Sequence, residues 1–540
     1  MRLARRIRAA IAPLPTAPDN PADRWRAFLA NVEPALAASP RVHTFAEPPR
    51  IGGDAVVPAP LAVWIEGGGD DSFAARVRTA LAHDRQRPTV LSGSLSEALG
   101  STTAPHVLLV GRDCLPAPLA LRRLGQAVAL APQAAMITTD EDRVDHGHRR
   151  HSPRFRPAPS PDRWLARDDT GRMMVVSTKR AAPLAGDISP GPSWMHELAL
   201  GLALDPAGSL LAAHVPMLLA HVRDDAASEA QLSAEATARV LRRREPAARV
   251  EYDQGYRRVR WAHSGEASVE VIICLRDRPE LLSRCVDSLL GRTAYDRLAV
   301  TLVDNGSREQ ATLDLLAGLR RRPGVTVIRE DGPFNFAALN NAAARRSEAD
   351  VLIFLNNDTE VVDPDWVQTL LEEARRPEVG AVAPLLVYPD GTVQHAGAAL
   401  GLHGYAGHPF AGLSPDGDTP FGRPHEGTRN WLAVTAACMM VERSKFELVG
   451  GFDERFVVAG NDVDLCLRLT AAGHRSLCVP HAVLVHDESR SRGAHIDPGD
   501  FVRSQESYGD FRTVGDPFYN PNLTLSRTDC SVRMPREPTG

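Results

Sequence analysis

Cysteine is scarce in this chain and follows no pattern. The 7 cysteines among 540 residues (114, 274, 285, 438, 466, 478 and 530) are odd in number, widely scattered and nowhere spaced C-x-x-C. That excludes a disulfide framework and an encoded zinc site, and it fits a reducing cytoplasm. No run of 18 or more apolar residues occurs, so no membrane-spanning helix is encoded. An excess of one charge is also missing: 62 Lys+Arg stand against 67 Asp+Glu, a net charge of −5, which argues against nucleic acid as the main partner. Met1–Ala12 is interrupted by arginines every few positions and lacks the apolar core of a signal peptide. It reads as a short basic helix, frayed or docked on the core; the alternative is peripheral contact with the inner face of the cell membrane.

What is present describes a globular protein of more than one domain: 43% of residues are hydrophobic, and the length predicts about three units. Residues 1–58 form a lead-in segment with Pro-rich punctuation and a helix over Asp23–Ala38. Over 59–225, short apolar runs (Ala62–Ile65, His106–Val110, Met173–Val176) alternate with helical stretches (Phe73–Asp84, Leu119–Leu130), as in an α/β layer with a largely parallel sheet. Residues 226–267 read as a helical linker and connecting strand, 268–495 as a second α/β unit, and 496–540 as a C-terminal tail. The second unit opens on Val269–Cys274 and repeats strand and helix through Val351–Leu355, which predicts an open twisted sheet flanked by helices, with ligands at the carboxyl ends of its strands.

An internal repeat points to two tandem modules. His106–Cys114 resembles Asp350–Thr359, each an apolar strand ending in an acidic residue. Gly208 precedes His221 by the same interval at which Gly473 precedes His486.

The polar clusters of the second unit fall at strand ends. Asp304-Asn-Gly-Ser307 places an acceptor at a strand tip, suited to a nucleobase or sugar, although Asn-Gly is also a good turn. Asn356, Asn357 and Asp358 follow the next strand, where a hard cation and a diphosphate can be held by oxygen ligands; an Asx-type cap for the following helix is the structural alternative. Asp462 and Asp464 open an amphipathic helix, a place for a general base or for simple charge capping, and Asp464 has Arg468 one helical turn on. His486 ends an apolar strand and precedes Arg490 and Arg492, suited to metal and phosphate respectively. Between these clusters, 388–410 and 415–428 lack a hydrophobic period and read as a lid over the cleft. His395, His408 and Trp431 are its candidate acceptor contacts, since an aromatic face packs on sugar C–H groups.

Taken together, Asp304-Asn-Gly-Ser, Phe334-Asn-Phe-Ala-Ala-Leu-Asn-Asn341, Asn356-Asn-Asp-Thr-Glu360, Asn461-Asp-Val-Asp464 and His486-x-x-Ser489 resemble the family-2 inverting glycosyltransferases over 268–495, particularly the rhamnosyltransferase-like branch of bacterial surface-polysaccharide synthesis. The resemblance implies a GT-A fold and transfer of a hexose or deoxyhexose from a nucleotide-diphosphate sugar to a glycan or lipid-linked acceptor. It implies Mg²⁺ or Mn²⁺ held by Asp358 and His486, with Asp462 as the base. It assigns Arg276, Asp277, Asp304, Asn335, Asn340, Asn356, Asn357 and Arg492 to the donor, and Asn461 to the acceptor beside His395 and Trp431. The first strand departs from the family pattern in reading Ile272-Ile-Cys-Leu-Arg-Asp277.

The first module resembles a degenerate copy of the same domain. Aligning Glu197–Leu202 with Asp464–Leu469 sets Met195 opposite Asp462, and methionine takes no proton, so this module is expected to be catalytically silent. The alternative for the whole chain is a noncatalytic nucleotide- or glycan-binding scaffold. A nucleotidyltransferase would show a Gly-rich strand-to-helix loop, which 272–280 does not.

Overall fold

A computed structural model describes residues 20–33, 41–44, 50–51, 56–67, 71–82, 88–205, 212–224, 230–253, 256–262, 267–487 and 497–534. The basic segment 1–12, residues 34–40, Gly208, Ser489, Arg490 and Arg492 therefore lie outside the described residues. The chain divides into two compact units, one of residues 1–259, 418–422 and 514–540, the other of 260–417 and 423–513.

In the first unit the apolar runs form strands β1 (Ala62–Ile65), β2 (Val90–Leu91), β3 (His106–Val110), β4 (Cys114–Pro116), β5 (Met136–Val144), β6 (Arg150–Arg154), β7 (Met173–Ser177) and β8 (Ala212–Arg223). Helices α1 (Asp71–Ala82), α2 (Ala120–Leu130), α3 (Trp194–Ala203) and α4 (Ala230–Arg244) accompany them. The sheet runs β2-β1-β3-β7-β5-β8, with β4 on β8 and β6 on β5. Strands β1, β2, β3, β5 and β8 share one direction, as the alternation predicts. β7 enters reversed between β3 and β5, and the short strands β4 and β6 pair antiparallel with β8 and β5.

The residues grouped by sequence as a tail divide. Helix Pro498–Tyr508 belongs to the second unit, whereas 514–534 packs within the first. There the fully buried Asp140 carboxylate accepts from Asn520 Nδ2 (2.9 Å), Asn522 Nδ2 (3.2 Å) and Arg156 N–H (2.8 Å), and it faces His214 Nε2 at 3.0 Å. A buried carboxylate is tolerated only when partnered in this way.

The second unit contains β9 (Val269–Leu275), β10 (Leu298–Asp304), β11 (Val325–Arg329), β12 (Val351–Leu355), β13 (Thr359–Val361), β14 (Val379–Val387), β15 (Val393–His395), β16 (Arg429–Trp431), β17 (Cys438–Glu442) and β18 (Arg475–His486). Its helices include α5 (Pro279–Arg292), α6 (Gln310–Leu319), α7 (Phe336–Ala344), α8 (Trp366–Ala374), α9 (Asn461–Ala471) and α10 (Pro498–Tyr508). The sheet order is β11-β10-β9-β12-β17-β14-β18-β13, with β15 on β14 and β16 on β18.

Strand β12 shows why the run Val-Leu-Ile-Phe-Leu becomes a central strand. Alternate side chains leave on opposite faces, and both faces are covered. Val351, Ile353 and Leu355 join one core with Leu282, Val286 and Leu289 of α5 and Trp366, Val367 and Leu370 of α8. On the other face, the Phe354 ring meets Phe452 at 4.7 Å and Phe446 at 5.1 Å. Each such fully buried side chain contributes about 1.5–3 kcal/mol.

Strand for strand, β1 to β8 match β9, β10, β12, β13, β14, β15, β17 and β18 in chain order, sheet order and direction, and α3 and α9 occupy the same place before the last strand. The repeat read from His106–Cys114 and Asp350–Thr359 is thus a repeat of topology. The interval from the start of β3 at His106 to the start of β4 at Cys114 equals that from β12 at Val351 to β13 at Thr359. The tip of each first strand is tied to its reversed neighbour, Gly111 N–H to Arg172 O and Asn356 N–H to Ala437 O.

The equal spacing to His221 and His486 does not survive in the structure. His486 stands opposite Thr359, but it is Val222 that stands opposite the corresponding Cys114, with His221 opposite Leu115. Bulges in β8 at 215/218 and 218/220 break the residue count and slip the histidine by one, to the other face.

Within segment 388–410, residues 393–402 form a packed wall and not an irregular lid, and Tyr405 to His408 line the cavity. Val393–Ala396 and Ala398–Leu402 are buried, and Gly397, at φ +118°, lies flat against Trp431. A Cβ at Gly397 would fall 2.0 Å from Trp431 Nε1, whereas one at Gly391 (φ +84°) meets nothing within 4 Å. Gly397→Ala is expected to destabilise this unit by several kcal/mol, about 3 or more, through clash and backbone strain together. Gly391→Ala should cost about 1–2 kcal/mol. Equal shifts of the two variants in chemical denaturation would contradict this packing.

Candidate active site

A cavity of about 410 Å³ opens at the carboxyl end of β12, lined among others by Asn356, Asp358, Gln394, His408, Asp462 and His486. Its geometry follows from a short ladder. After β12 the chain turns through Asn356, Asn357 and Asp358 and pairs β13 antiparallel to the last residues of β18, Thr359 opposite His486 and Asp487 N–H on Asp358 O (3.0 Å). This pairing brings together the side chains of Asp358 and His486, which lie far apart in sequence.

Asp358 and His486 are both buried, with Asp358 Oδ1 3.2 Å from His486 Nε2. Asn356 Nδ2 lies 3.4 Å from the same Nε2, and Gln394 Oε1 lies 3.2 Å from Nδ1. An amide NH₂ only donates, so in the neutral tautomer that satisfies both amides as they are oriented Nε2 accepts from Asn356 and Nδ1–H is donated to Gln394. Among the described residues Asp358 Oδ1 then has no hydrogen-bond donor, and its lone pair faces that of Nε2. Two buried lone pairs at this separation repel unless a metal cation or a proton on Nε2 lies between them, and 3.2 Å is close to the ligand–ligand edge of about 3 Å in an octahedral Mg²⁺ site. These residues therefore fit a divalent ion. Among the described residues, no group of three or more His, Cys, Asp or Glu forms a full metal cage.

The other wall is built by α9. Gly460, at φ +88°, starts the helix, and Asp462 sits in its first turn, where the exposed N–H groups favour a negative charge. Its Oδ2 accepts Ala436 N–H (3.2 Å) and its Oδ1 accepts Val463 N–H (2.9 Å). Asn461 lines the cavity and donates Nδ2–H to Val458 O. Asp464 points away: Arg468 and Ser507 hold its two oxygens at 2.8 Å. The loop ahead of α9 is fixed by Asp500 of α10, whose buried carboxylate accepts three consecutive N–H groups, from Val457 (2.7 Å), Val458 (2.8 Å) and Ala459 (2.9 Å).

A second polar cluster forms at the tips of β9 and β10. Asp304 Oδ1 accepts Ser307 N–H, and its Oδ2 pairs with Arg329 at 2.8 Å. Asp277, at φ +54°, accepts Glu309 and Arg308 N–H, which hold its carboxyl below the usual carboxylate range; Arg276 beside it is exposed. Asn305 Oδ1 is buried there without a hydrogen-bond partner.

Several expected contacts are not at the cavity surface. Trp431 is 1% exposed, sandwiched by Gly397 and the Arg429 guanidinium (5.2 Å), and so offers no face to a sugar. His395 lies one layer behind the wall. Its Nε2 accepts Thr435 N–H and its Nδ1 faces Nδ1 of the lining His408 at 2.9 Å, and burial first, then His408, holds its pKa well below the ordinary value. Asn335 caps α7 through Ala338 N–H and donates to Glu454 O, and Asn340 donates to Phe336 O, so both amides serve the backbone. Asn357 is buried in the turn and does not line the cavity.

Gln394, Tyr405, Asp500 and Phe501 line the cavity and were not singled out from sequence. The strand carrying Gln394 spans only Val393–His395, and Asp500 lies in the segment read as tail; neither leaves a periodic signal.

Removing the Asp500 carboxylate should release the 457–459 loop. Asp500→Ala is expected to cost about 3 kcal/mol, roughly 1 for each lost hydrogen bond, and Asp500→Asn less, with faster amide hydrogen exchange confined to 457–459 and the start of α9. Unchanged exchange there would contradict the clamp.

Comparison with known proteins places this geometry. Residues 270–447 match the family described as Glycosyl transferase family 2. The chain is 39% identical over 482 residues to the O-antigen biosynthesis protein RfbC of Myxococcus xanthus, covering 85% of this chain and 37% of that protein. It is 40% identical over 292 residues to the uncharacterized protein y4gI of Sinorhizobium fredii, covering 52% and 32%. Thus the chain spans about a third of the length of these two relatives. Over 218 residues it is 32% identical to the N-acetylglucosaminyl-diphospho-decaprenol L-rhamnosyltransferase of Mycobacterium tuberculosis, covering 36% of this chain and 68% of that enzyme. On that match and the family motif it overlies, the chain belongs to glycosyl transferase family 2.

Proposed function

We propose that the second unit, residues 260–417 and 423–513, is an inverting hexosyltransferase, moving a hexose or deoxyhexose from a nucleoside-diphosphate sugar to a glycan or lipid-linked acceptor during synthesis of a bacterial surface polysaccharide. The observation that carries this reading is the unpartnered Asp358 Oδ1 facing His486 Nε2 in the same cavity that Asp462 enters. The relatives' names, an O-antigen biosynthesis protein and a lipid-diphosphate rhamnosyltransferase, support the substrate class. Seven cysteines, none of them in a disulfide, suit a reducing cytoplasm, where we place the protein.

In this reading Asp358 and His486 would hold Mg²⁺ or Mn²⁺ together with the donor diphosphate. The bound cation supplies charge neutralisation for the leaving nucleoside diphosphate. Asp462 takes the proton of the acceptor hydroxyl. The hydroxyl oxygen bonds to the anomeric carbon from the face opposite the diphosphate, and the carbon–oxygen bond to the diphosphate breaks with its electron pair, which inverts the centre. Ala436 N–H holds the Asp462 carboxylate toward the cavity. Asp304, Asp277 and Arg276 take the nucleoside side, with Asn305 Oδ1 as a further acceptor, and Asn356 and Asn357 shape the turn under the phosphates. Asn335 and Asn340 act by fixing α7, and Asn461 contributes to the acceptor wall. The aromatic surface open to an acceptor sugar is Tyr405 with Phe501, rings 4.9 Å apart, in place of Trp431.

The first unit we read as catalytically silent. Met195 occupies the place of Asp462, Val222 that of His486 and Gly111 that of Asn356, and the Arg156–Glu141 ion pair (2.7 Å) covers Gly171, the counterpart of Ala436.

Calorimetry with UDP, dTDP and GDP, each with Mn²⁺, Mg²⁺ or EDTA, tests these roles. Asp358→Asn is expected to abolish metal-dependent nucleotide binding. Asp462→Asn should bind as wild type while transfer falls about 10²–10⁴-fold. Equal loss of binding in both variants would contradict the assignment, and absence of nucleotide binding by wild type would favour a noncatalytic scaffold.

A further inference from the structure

Strand β15 supplies consecutive side chains to both imidazoles of the cavity. Gln394 and His395 leave it in opposite directions, Gln394 to His486 and His395 to His408. Gln394 is 2% exposed and lies on the cavity wall, where its Oε1 is 3.2 Å from His486 Nδ1. No sequence motif marked it.

A neutral imidazole carries one proton, and its two nitrogens are distinct positions on the ring. If that proton moved to Nε2 it would point at Asp358 Oδ1, and His486 would offer no lone pair on the cavity side. Two neighbours oppose this. Asn356 Nδ2–H meets an acceptor at Nε2, and Gln394 Oε1 meets a donor at Nδ1, only while the proton stays on Nδ1. From this we infer that Gln394 is a positioning residue of the cation site: it holds the His486 proton on Nδ1, so that Nε2 keeps its lone pair beside Asp358 Oδ1. The inference rests on the reading of Asp358 and His486 as cation ligands and goes beyond it, because it names the residue that makes the histidine competent. Partners of this kind typically change metal affinity about 10–100-fold.

The test uses Mn²⁺ with UDP, dTDP or GDP as probe, counted by the electron paramagnetic resonance signal of the free ion against a nucleotide-only control, with the 540-residue chain. Gln394→Met keeps the length of the side chain and removes the acceptor; it is expected to weaken Mn²⁺ binding about 10–100-fold. Gln394→Glu, which restores an acceptor for Nδ1–H, should return affinity to wild type or above. Wild-type affinity in Gln394→Met, with binding lost in Asp358→Asn, would overturn the role of Gln394 and leave the cation site standing. No Mn²⁺ binding by wild type would overturn the site and with it this inference. A measurement on the wild-type protein needs no folded variant: with ¹⁵N-histidine labelling, long-range ¹H–¹⁵N correlation reports which nitrogen of His486 is protonated. A proton on Nδ1 supports the inference, and a proton on Nε2 overturns it.

Discussion

The site depends on one ladder, the antiparallel pairing of β13 with the end of β18. It is only three residue pairs long, yet it sets Thr359 against His486 and thereby brings Asp358 and the imidazole to 3.2 Å. Everything else at this wall follows from that register. The tip of β12 is anchored by Asn356 N–H on Ala437 O, the imidazole is held between Asn356 and Gln394, and the buried Asp358 Oδ1 is left without a donor. A single-residue slip would turn His486 to the opposite face of the sheet and take its imidazole away from Asp358.

The first unit illustrates that slip within the same chain. Its strands repeat those of the second in order and direction, and it retains Asp113 at the place of Asp358, yet its histidine stands one position short, at 221, with Val222 in register. His221 turns instead to Asp142, at 2.6 Å, within a network that includes Arg150 and Glu33. The fold tolerated loss of the ligands because the strands are held by their apolar faces and their ladders, not by the groups at their tips.

Much of this architecture was legible in the sequence, where local chemistry and burial coincide. Val351–Leu355 is an unbroken apolar run because both faces of a central strand are covered, and the polar residues at 356–358 follow because the strand ends at a cleft. Asp462 was legible as a carboxylate in a helix's first turn. What escaped depends on contacts remote in sequence. Nothing near Trp431 announces that Gly397 and Arg429 enclose it, nor does 388–410 reveal that its small residues pack as a wall. The clamp of Asp500 on 457–459 joins segments far apart along the chain, and the reversed entry of the strand at 173–177 leaves no mark on its apolar pattern. The equal spacing from glycine to histidine in the two modules misled because bulges change the register without changing the count.

The central claim is that the second unit alone holds the cation, between Asp358 and His486. Its most direct test is anomalous scattering from Mn²⁺ in crystals of the full chain grown with a nucleoside diphosphate. The account predicts one peak in the ligand range of Asp358 Oδ1 and His486 Nε2, and none beside Asp113. Bound nucleotide with no peak at Asp358, or a peak at Asp113, would contradict it.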